Sequence, residues 1–275
     1  MSRSRIQNGV AGAVLTGAVL LAASVMFLAV ALPPPEMDLF ARLTPPGGTT
    51  LLGSDQLGRP ILARVLAGAP WSLGVAFAAN AISLVLGVGA GLLAAEFDGV
   101  PRRIILQTVN LTLSFPSRVA AMAAVAILGQ SAGAVILVLG LLAWPLFARV
   151  VYAEALSARD RPYVVAARIG GVSRLQQVFR HVLPVLLPSL TAMTAFHFAD
   201  MLVASSALSF LGVGAPLGSP AWGAMLAESR PYLFLAPWMM AVPAAALALT
   251  VLLLNLCGDA LAQRLGGRRR TDLRR

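Results

Sequence analysis

The chain has 275 residues, of which 58% are hydrophobic and only 12% are charged, and its mean hydropathy is +0.82. A soluble domain is about half apolar and about a quarter charged, so this composition excludes an ordinary soluble protein. The net charge of +10 does not indicate nucleic-acid binding, because the 21 basic residues are all arginines that cluster at the ends of apolar runs and in the C-terminal tail.

Long uncharged runs predict an all-α, polytopic membrane protein with about six transmembrane helices. Residues 10–32 and 71–95 contain no charged side chain, and a bilayer core requires about 20 such residues in a helix. Backbone groups find no water in that core, so these runs must be helical. The six predicted spans are 10–32, 71–95, 104–128, 134–154, 184–211 and 235–257.

The first run, residues 10–32, has one feature of a secretion signal, because Arg3 and Arg5 precede it. It is longer than the apolar part of a signal peptide, which is about 7–15 residues. The residues that follow it are three prolines, 33–35, and not a cleavage site of small residues. We therefore predict a retained helix.

The arginines also predict the orientation, because cytoplasmic segments of membrane proteins carry an excess of basic residues. With the N-terminus inside, sixteen arginines fall in cytoplasmic segments, and Arg118 falls within a span. The four arginines in outer segments are Arg42, Arg59, Arg64 and Arg230. Both termini are predicted to be cytoplasmic, and three regions follow: an N-terminal helix with an extracytoplasmic loop (1–69), a transmembrane domain (70–260) and a basic tail (261–275).

The segment between the fourth and fifth spans, residues 155–183, is charged and therefore lies outside the bilayer. Apolar residues still recur in it at near-helical spacing, interrupted at Gly170 and Gly171. This pattern predicts two short amphipathic helices joined by a glycine elbow on the cytoplasmic face, a shape suited to docking in a partner's groove. The alternative is a simple cytosolic loop with a solvated charged face.

Several short motifs follow one another between residues 50 and 260. In the elbow, Ala166-Ala167 is followed by Gly171 and, after nine intervening residues, by the sequence HVLP at 181–184. This arrangement resembles the EAA loop of importer permeases driven by ATP-binding cassettes. Further motifs resemble the branch of that family that imports di- and oligopeptides or nickel: LGSD and LGR within 52–59, SFP at 114–116, LSFLGVG at 208–214, PAWGAM at 220–225 and NLCGD at 255–259.

The resemblance implies a type I ABC importer permease fold in a bacterial inner (plasma) membrane, with a cytoplasmic coupling helix within residues 155–183. It also implies four kinds of contact: a second permease subunit, two ATP-binding cassette subunits, an extracytoplasmic solute-binding protein and membrane lipid. The residues that the resemblance assigns to ATPase coupling are Val165, Ala166, Ala167, Gly170, Gly171, Leu183 and Pro184.

The chain departs from the family pattern at three positions. Val165 stands where the loop motif opens with Glu, and Pro60 stands where an Asp often follows the outer Gly-Arg. Ser205 stands where peptide-importing members often carry Glu. The loss of both glutamates is closer to the nickel-type members, so peptide and nickel or metal-chelate cargo both remain open.

The sequence contains no catalytic constellation, and no cofactor is predicted. A phosphate-binding P-loop requires a lysine, which this chain lacks, so ATP is expected to bind on partner chains. His181 and His197 are too far apart for a metal pair on one helix, and the single Cys257 excludes a cysteine metal site.

Charged residues within predicted spans are candidates for the substrate pathway, because an ionised group in lipid is costly. Arg118 and Asp200 lie at similar predicted depths in the third and fifth spans, and His197 precedes Asp200 by one helical turn. We predict that Asp200, His197 and Arg118 line or gate the path, with Ser205 and Ser209 as further candidates. The alternative is a buried structural ion pair between the two helices.

The sequence leaves a second class of function open. A self-contained secondary transporter or channel requires its own coupling-ion site, for which Asp200 and His197 are the evident material. A membrane-embedded enzyme is less favoured, since no set of acids, bases or metal ligands is clustered.

Overall fold

The computed structural model describes residues 36–48, 50–216 and 218–272, with side chains through residue 262. The predicted first span, residues 10–32, lies outside the described residues. Within them the chain is almost entirely helical and contains no β-strand. In chain order the helices are α1 (Ile61–Glu96), α2 (Val100–Ser114), α3 (Ser117–Leu128), α4 (Ala132–Arg159), α5 (Pro162–Ile169), α6 (Arg174–Phe210, with a π turn at Val178–Val182), α7 (Trp222–Ser229) and α8 (Trp238–Asp272).

Four of these helices, α1, α4, α6 and α8, are long and apolar enough to cross a membrane, and the bent pair α2–α3 is a candidate fifth span. Successive spans run in opposite directions, so the connections gather at two ends of the bundle. We call the end with residues 36–60, 129–131 and 211–237 the loop end, and the end with residues 97–99 and 160–173 the elbow end. The prediction of an all-α, multi-pass membrane protein is confirmed.

The predicted third span, residues 104–128, is not one helix. It is broken after Ser114, and α2 and α3 meet at an angle of 87°. Phe115 has extended dihedral angles (φ −95°, ψ 144°), as expected for a residue before proline, because the Pro116 ring disfavours helical backbone at the preceding residue. The structure therefore has a complete break where the sequence predicted one continuous span.

Small residues allow α1 and α4 to pack closely. A Cβ atom on Gly87 would lie 2.4 Å from Cβ of Phe147 and 2.6 Å from the carbonyl oxygen of Trp144, so only glycine fits there. Ser83 donates to the carbonyl of Gly140 on the facing helix at 3.1 Å. Lipid tails are as apolar as the helices, so close packing and hydrogen bonds of this kind hold membrane helices together.

The apolar core is concentrated toward the loop end, where α1, α3, α4, α6, α7 and α8 meet. Ile61 of α1, Val125 of α3 and Leu202 of α6 are completely buried there, and Trp222 of α7 and Met239 of α8 close the cluster. The core therefore ties the loop end of every described span to its neighbours.

Two further boundaries differ from the sequence-based expectation. The helix α1 begins at Ile61, ten residues before the predicted second span of 71–95, so the outer loop is shorter than predicted. The second arm of the elbow is not a separate helix, because the backbone continues from Arg174 through the π turn into α6. The helix α7 was not predicted, because its eight residues are too short to show an apolar repeat.

Candidate functional site

The elbow consists of α5, Gly170, Gly171 and the first turn of α6. The N–H of Gly170 closes α5 by donating to the carbonyl of Ala166 at 2.9 Å, and the N–H of Val172 donates to the carbonyl of Ala167 at 3.1 Å. Gly171 between them has φ +81°, in the left-handed region that residues with a Cβ rarely adopt. The glycine is therefore required for the sharp turn that sets the angle between the two arms.

The outer side of the elbow is apolar and faces outward. Ile169 is 83% exposed, Leu175 is 71% exposed and Val165 is 38% exposed. Val164, by contrast, is completely buried and packs α5 onto the bundle. A surface of this kind, with large apolar side chains outside and an anchor inside, is typical of a protein contact.

The structure divides the predicted coupling residues into two groups. Five of them lie at the tip of the elbow: Val165, Ala166, Ala167, Gly170 and Gly171. Leu183 and Pro184 lie instead directly after the π turn of α6, where Leu183 is half-buried. The tip is thus exposed, whereas the second group belongs to the body of α6.

Side-chain contacts join the elbow to the bundle. The amide of Gln177, which is buried, donates to the carbonyl of Val172 at 2.6 Å and closes the turn after Gly171. Just before the elbow, Arg159 at the end of α4 donates to a carbonyl at the end of α1, and its guanidinium lies 3.7 Å from Glu96. The turn after Gly171 is therefore held by a side chain of α6, and the helix that leads into α5 is held to α1.

Arg118 and Asp200 form an ion pair between α3 and α6. Nη2 of Arg118 lies 2.5 Å from Oδ1 of Asp200, and the two side chains are 58% and 47% exposed. Asp200 is ten residues before the end of α6 at Phe210, or about 15 Å below the loop end at 1.5 Å per residue, which is about half the thickness of a bilayer core. An exposed pair of charges at this depth requires water or protein around it, because lipid solvates ions poorly.

His197 does not join this pair. Its Nδ1 lies 3.0 Å from Oδ1 of Asn80 on α1, and its ring packs against Phe147 with centroids 4.7 Å apart. The residue is 7% exposed, in contrast to Asp200. Residues three positions apart on a helix differ by about 60° around its axis, and here that angle separates an inward-facing from an outward-facing side chain.

Ser205 and Ser209 are buried and bonded to backbone. The hydroxyl of Ser205 donates to the carbonyl of Leu202 at 3.1 Å, and that of Ser209 donates to the carbonyl of Ser205 at 2.9 Å. Ser209 also accepts from the N–H of Ala215 at 3.0 Å and so closes the turn after α6. The cavity beside both serines measures about 20 Å³, which is too small for a peptide.

A group of buried charges at the loop end was not predicted, and we call Asp55, Arg59, Arg64, Glu228 and Gln56 the loop-end charge cluster. Oδ2 of Asp55 accepts from Arg59 at 2.7 Å and from Arg64 at 2.8 Å. Arg64 also donates to Oε2 of Glu228 at 2.9 Å, and Gln56 donates to the same oxygen at 3.2 Å. Two acids and two bases balance, so the cluster fixes the loop before α1 onto α7 without a net buried charge.

The pKa of Glu228 reflects these contacts. Burial by itself raises the pKa of this carboxyl, but the hydrogen bond and charge of Arg64 act in the other direction, together with hydrogen bonds from the N–H of Gly218 and from Gln56. The pKa of Glu228 is therefore held below its ordinary value, and the group is a carboxylate at neutral pH.

Sequence signals for the missed residues were weak. Arg64 and Glu228 are separated by 164 residues, so no local spacing pairs them. Asn80 had a clearer signal, because a single amide inside the uncharged run 71–95 requires a hydrogen-bond partner in a membrane.

Comparison with known proteins assigns the family. Residues 87–271 match the family described as binding-protein-dependent transport system inner membrane component. The di/tripeptide transport system permease protein DppC of Pseudomonas aeruginosa is 35% identical over 225 residues, covering 80% of this chain and 74% of that protein. The glutathione transport system permease protein GsiD of Pectobacterium atrosepticum is 35% identical over 216 residues, covering 78% and 72%.

Among solved structures, an inward-facing form of the MetNI methionine ABC transporter has a similar fold. The TM-score is 0.61 at 20% sequence identity, and the alignment covers 74% of this chain and 97% of the matched chain. The likeness confirms the predicted type I importer permease fold. Together with the family match and the two relatives, it establishes that the chain belongs to the family of binding-protein-dependent transport system inner membrane components.

Proposed function

We propose that the chain is one permease subunit of an ATP-driven importer of di- or oligopeptides. It forms half of the translocation pathway beside a second permease subunit, and it receives cargo from an extracytoplasmic solute-binding protein. Two ATP-binding cassette subunits bind at the elbow end, so both termini are cytoplasmic. The observation that carries this proposal is the elbow, whose apolar tip faces outward on a turn that only glycine allows.

The geometry of the elbow supports transmission of force to the membrane. The tip at Ile169 is exposed, and the arm after Gly171 continues without a break into α6. A partner that binds the tip therefore displaces the helix that carries Asp200. The ion pair between Asp200 and Arg118 lies where α6 meets α3. The movement caused by closure of the ATP-binding subunits would thus be transmitted along α6 to the middle of the membrane.

We propose further that Arg118 and Asp200 line the pathway. Their exposure at mid-membrane depth is favourable in an aqueous path between two permease subunits and unfavourable against lipid. The burial of His197 and the backbone hydrogen bonds of Ser205 and Ser209 favour a packing role for these three residues behind the path.

Peptide is favoured over nickel as cargo. The relatives described above are named for di/tripeptides and glutathione, and a third, a putative peptide transport system permease protein of Brucella suis, is 37% identical over 223 residues. A peptide carries a charged group at each end, and the opposite charges of Arg118 and Asp200 match those groups. Ser205 stands where peptide-importing members often carry Glu, and the charges of Arg118 and Asp200 would supply the contacts to the peptide in its place.

Co-purification tests the permease proposal against a self-contained transporter or channel. The tagged chain, expressed with its genomic neighbours, should retain ATP-binding subunits in mild detergent. Gly171→Pro should abolish that association or uncouple ATP hydrolysis from uptake, because proline cannot adopt φ +81°. Uptake without any ATP-binding subunit, driven by an ion gradient, would refute the proposal.

A charge exchange tests the pathway role. Asp200→Ala and Arg118→Ala should each lower peptide uptake by at least tenfold while leaving assembly with the other subunits unchanged. The double variant with Asp200→Arg and Arg118→Asp restores the ion pair in reverse. If the pair lines the path, uptake stays low in this variant, and recovery of uptake to the normal rate would show that the pair is only structural.

A further inference from the structure

An apolar groove lies on the surface between α1 and α6 at the elbow end, and we call it the elbow-end groove. Its volume is about 370 Å³, and its accessible wall is apolar. One side is formed by Leu92 and Leu93 in the last two turns of α1 and by Phe97 directly after it, and the other by Leu175 and Phe179 of α6. It lies outside the path proposed above, because Arg118 and Asp200 are not among its lining residues.

The depth of the groove in a bilayer follows from the length of α1. This helix has 36 residues and is about 54 Å long, whereas a bilayer core is about 30 Å thick. Its uncharged stretch between Arg64 and Glu96 is centred near residue 80, so the core extends from about residue 70 to about residue 90. Gly89 and Leu93 therefore lie where hydrocarbon gives way to headgroups, with Glu96 among the headgroups.

The rim of the groove carries a free positive charge. Arg174 lines the groove and is exposed. None of the ion pairs among the described residues includes it. Glu96, the acid on the opposite wall, lies 3.7 Å from Arg159, which neutralises it. An apolar floor at the edge of the hydrocarbon and an unpaired guanidinium at headgroup level match a phospholipid, whose phosphate accepts two hydrogen bonds from arginine.

We propose that the elbow-end groove binds an anionic phospholipid, with an acyl chain between α1 and α6 and the phosphate at Arg174. The volume fits part of an acyl chain, and a chain in this position removes Leu93, Phe97, Leu175 and Phe179 from water or from poor packing. Since the groove joins α1 to the arm that follows Gly171, the bound lipid fixes this arm against the bundle. Lipid composition would thereby set how far the elbow moves.

Two substitutions remove different parts of the site. Gly89→Phe fills the groove, and it is compatible with folding because a Cβ on Gly89 meets nothing within 4 Å. Its matched control is Gly74→Phe on the same helix, where a Cβ also meets nothing within 4 Å and the groove is distant. Arg174→Gln removes the charge, with Arg103→Gln as the control, because Arg103 is an exposed arginine of the elbow end that does not line the groove.

The measurement is lipid binding to the purified full-length chain by native mass spectrometry, titrated with phosphatidylglycerol or phosphatidylcholine. We expect phosphatidylglycerol to bind at least tenfold more tightly than phosphatidylcholine, with this preference lost in Arg174→Gln and binding of both lipids weakened in Gly89→Phe. Both controls should bind like the unmodified chain. Equal affinity for the two lipids, or equal losses in the variants and their controls, would overturn the proposal.

A photoreactive acyl chain locates the bound lipid directly. Phosphatidylglycerol with a diazirine on its acyl chain should cross-link to the α1 and α6 residues of the groove, and cross-linking should fall in Gly89→Phe. Cross-links spread evenly over the lipid-facing surface would overturn the proposal. Protection of the groove by a bound protein subunit, with no lipid cross-link, would do the same and would identify a protein as the occupant.

Discussion

At the loop end, four charged side chains are buried against one another, whereas at the elbow the apolar side chains of Ile169 and Val165 face outward. At the loop end the charges of this cluster pair with one another, although Nη2 of Arg64 and Oε1 of Gln56 are buried there without a hydrogen-bond partner among the described residues. The elbow leaves the apolar side chain of Ile169 uncovered and fixes its shape with a glycine turn. Large apolar side chains such as Phe40 and Phe234 are also exposed at the loop end, outside the charge cluster. The contrast is therefore between a buried charge cluster that fixes the loop before α1 onto α7 and an elbow whose apolar tip is available for the partner contact proposed above.

The largest effect is expected from Asp55→Asn in the loop-end charge cluster. Asp55 is 1% exposed and bonds both Arg59 and Arg64, so the amide leaves two buried guanidinium groups to share the single carboxylate of Glu228. Removing one member of a buried ion pair costs about 3–5 kcal/mol. The free energy of unfolding in mixed micelles measures this loss.

The control is Asp98→Asn at the elbow end, because the side chain of Asp98 is 75% exposed and its pair with Arg102 faces water. An exposed pair contributes at most about 1 kcal/mol. Equal losses of unfolding free energy in Asp55→Asn and Asp98→Asn would contradict the difference in burial between the two ion pairs.

Next in size is Gly87→Ala, which tests the packing of α1 on α4. The added Cβ would lie 2.4 Å from Phe147 and 2.6 Å from a carbonyl oxygen of the facing helix, and overpacking of this kind costs about 1–3 kcal/mol. Gly89→Ala, two residues further along the same helix, adds its Cβ to open space and should be neutral or slightly stabilising. Thermal unfolding of the two variants side by side gives the comparison, and an equal loss in both would contradict the close contact.

A smaller effect on stability, but a large effect on partner binding, is expected from Ile169→Asp at the elbow tip. Ile169 is 83% exposed, and such surface substitutions change stability by no more than about 0.5 kcal/mol. Burial of an isoleucine side chain in a partner contributes about 1.5–3 kcal/mol, so affinity for the ATP-binding subunit should fall at least tenfold. Ile169→Val keeps an apolar side chain and should retain binding, and full affinity of the Asp variant would remove the tip from the interface.

The smallest effect is expected from pH at the loop end. The pKa of Glu228 is lowered in the folded chain, so its carboxylate contributes stability above its ordinary pKa of 4.5, and this contribution is lost as the pH falls through the lowered value. The stability difference between the unmodified chain and Glu228→Gln should therefore shrink on acidification from pH 7 to pH 3. A constant difference over that range would contradict the lowered pKa.

The sequence predicted the helices and the elbow because both depend on local pattern. Uncharged runs of about 20 residues identify spans without reference to any neighbour, and Gly170-Gly171 between amphipathic segments indicates a turn. It did not predict that Pro116 breaks the span at 87°, since proline kinks some membrane helices and ends others. Packing against the neighbouring helices decides between the two outcomes.

Contacts between distant residues were predicted only in part. The sequence placed Arg118 near Asp200 from equal depths in two continuous helices, and the structure brings them together although one of those helices is broken. The pairing of Arg64 with Glu228, and that of His197 with Asn80, depends on which helix faces join. A hydrophobic pattern with little amphipathic contrast, as in these membrane helices, carries no information on that choice.

The most direct test of the account is the number of peptides imported per ATP hydrolysed by the complete transporter in proteoliposomes. We expect Gly171→Pro in the elbow to lower this ratio at least tenfold while the purified chain remains folded. We also expect Gly133→Ala, at a helical glycine of the loop end whose Cβ would meet nothing within 4 Å, to leave the ratio unchanged. An unchanged ratio in Gly171→Pro, with assembly and uptake intact, would contradict coupling through the elbow.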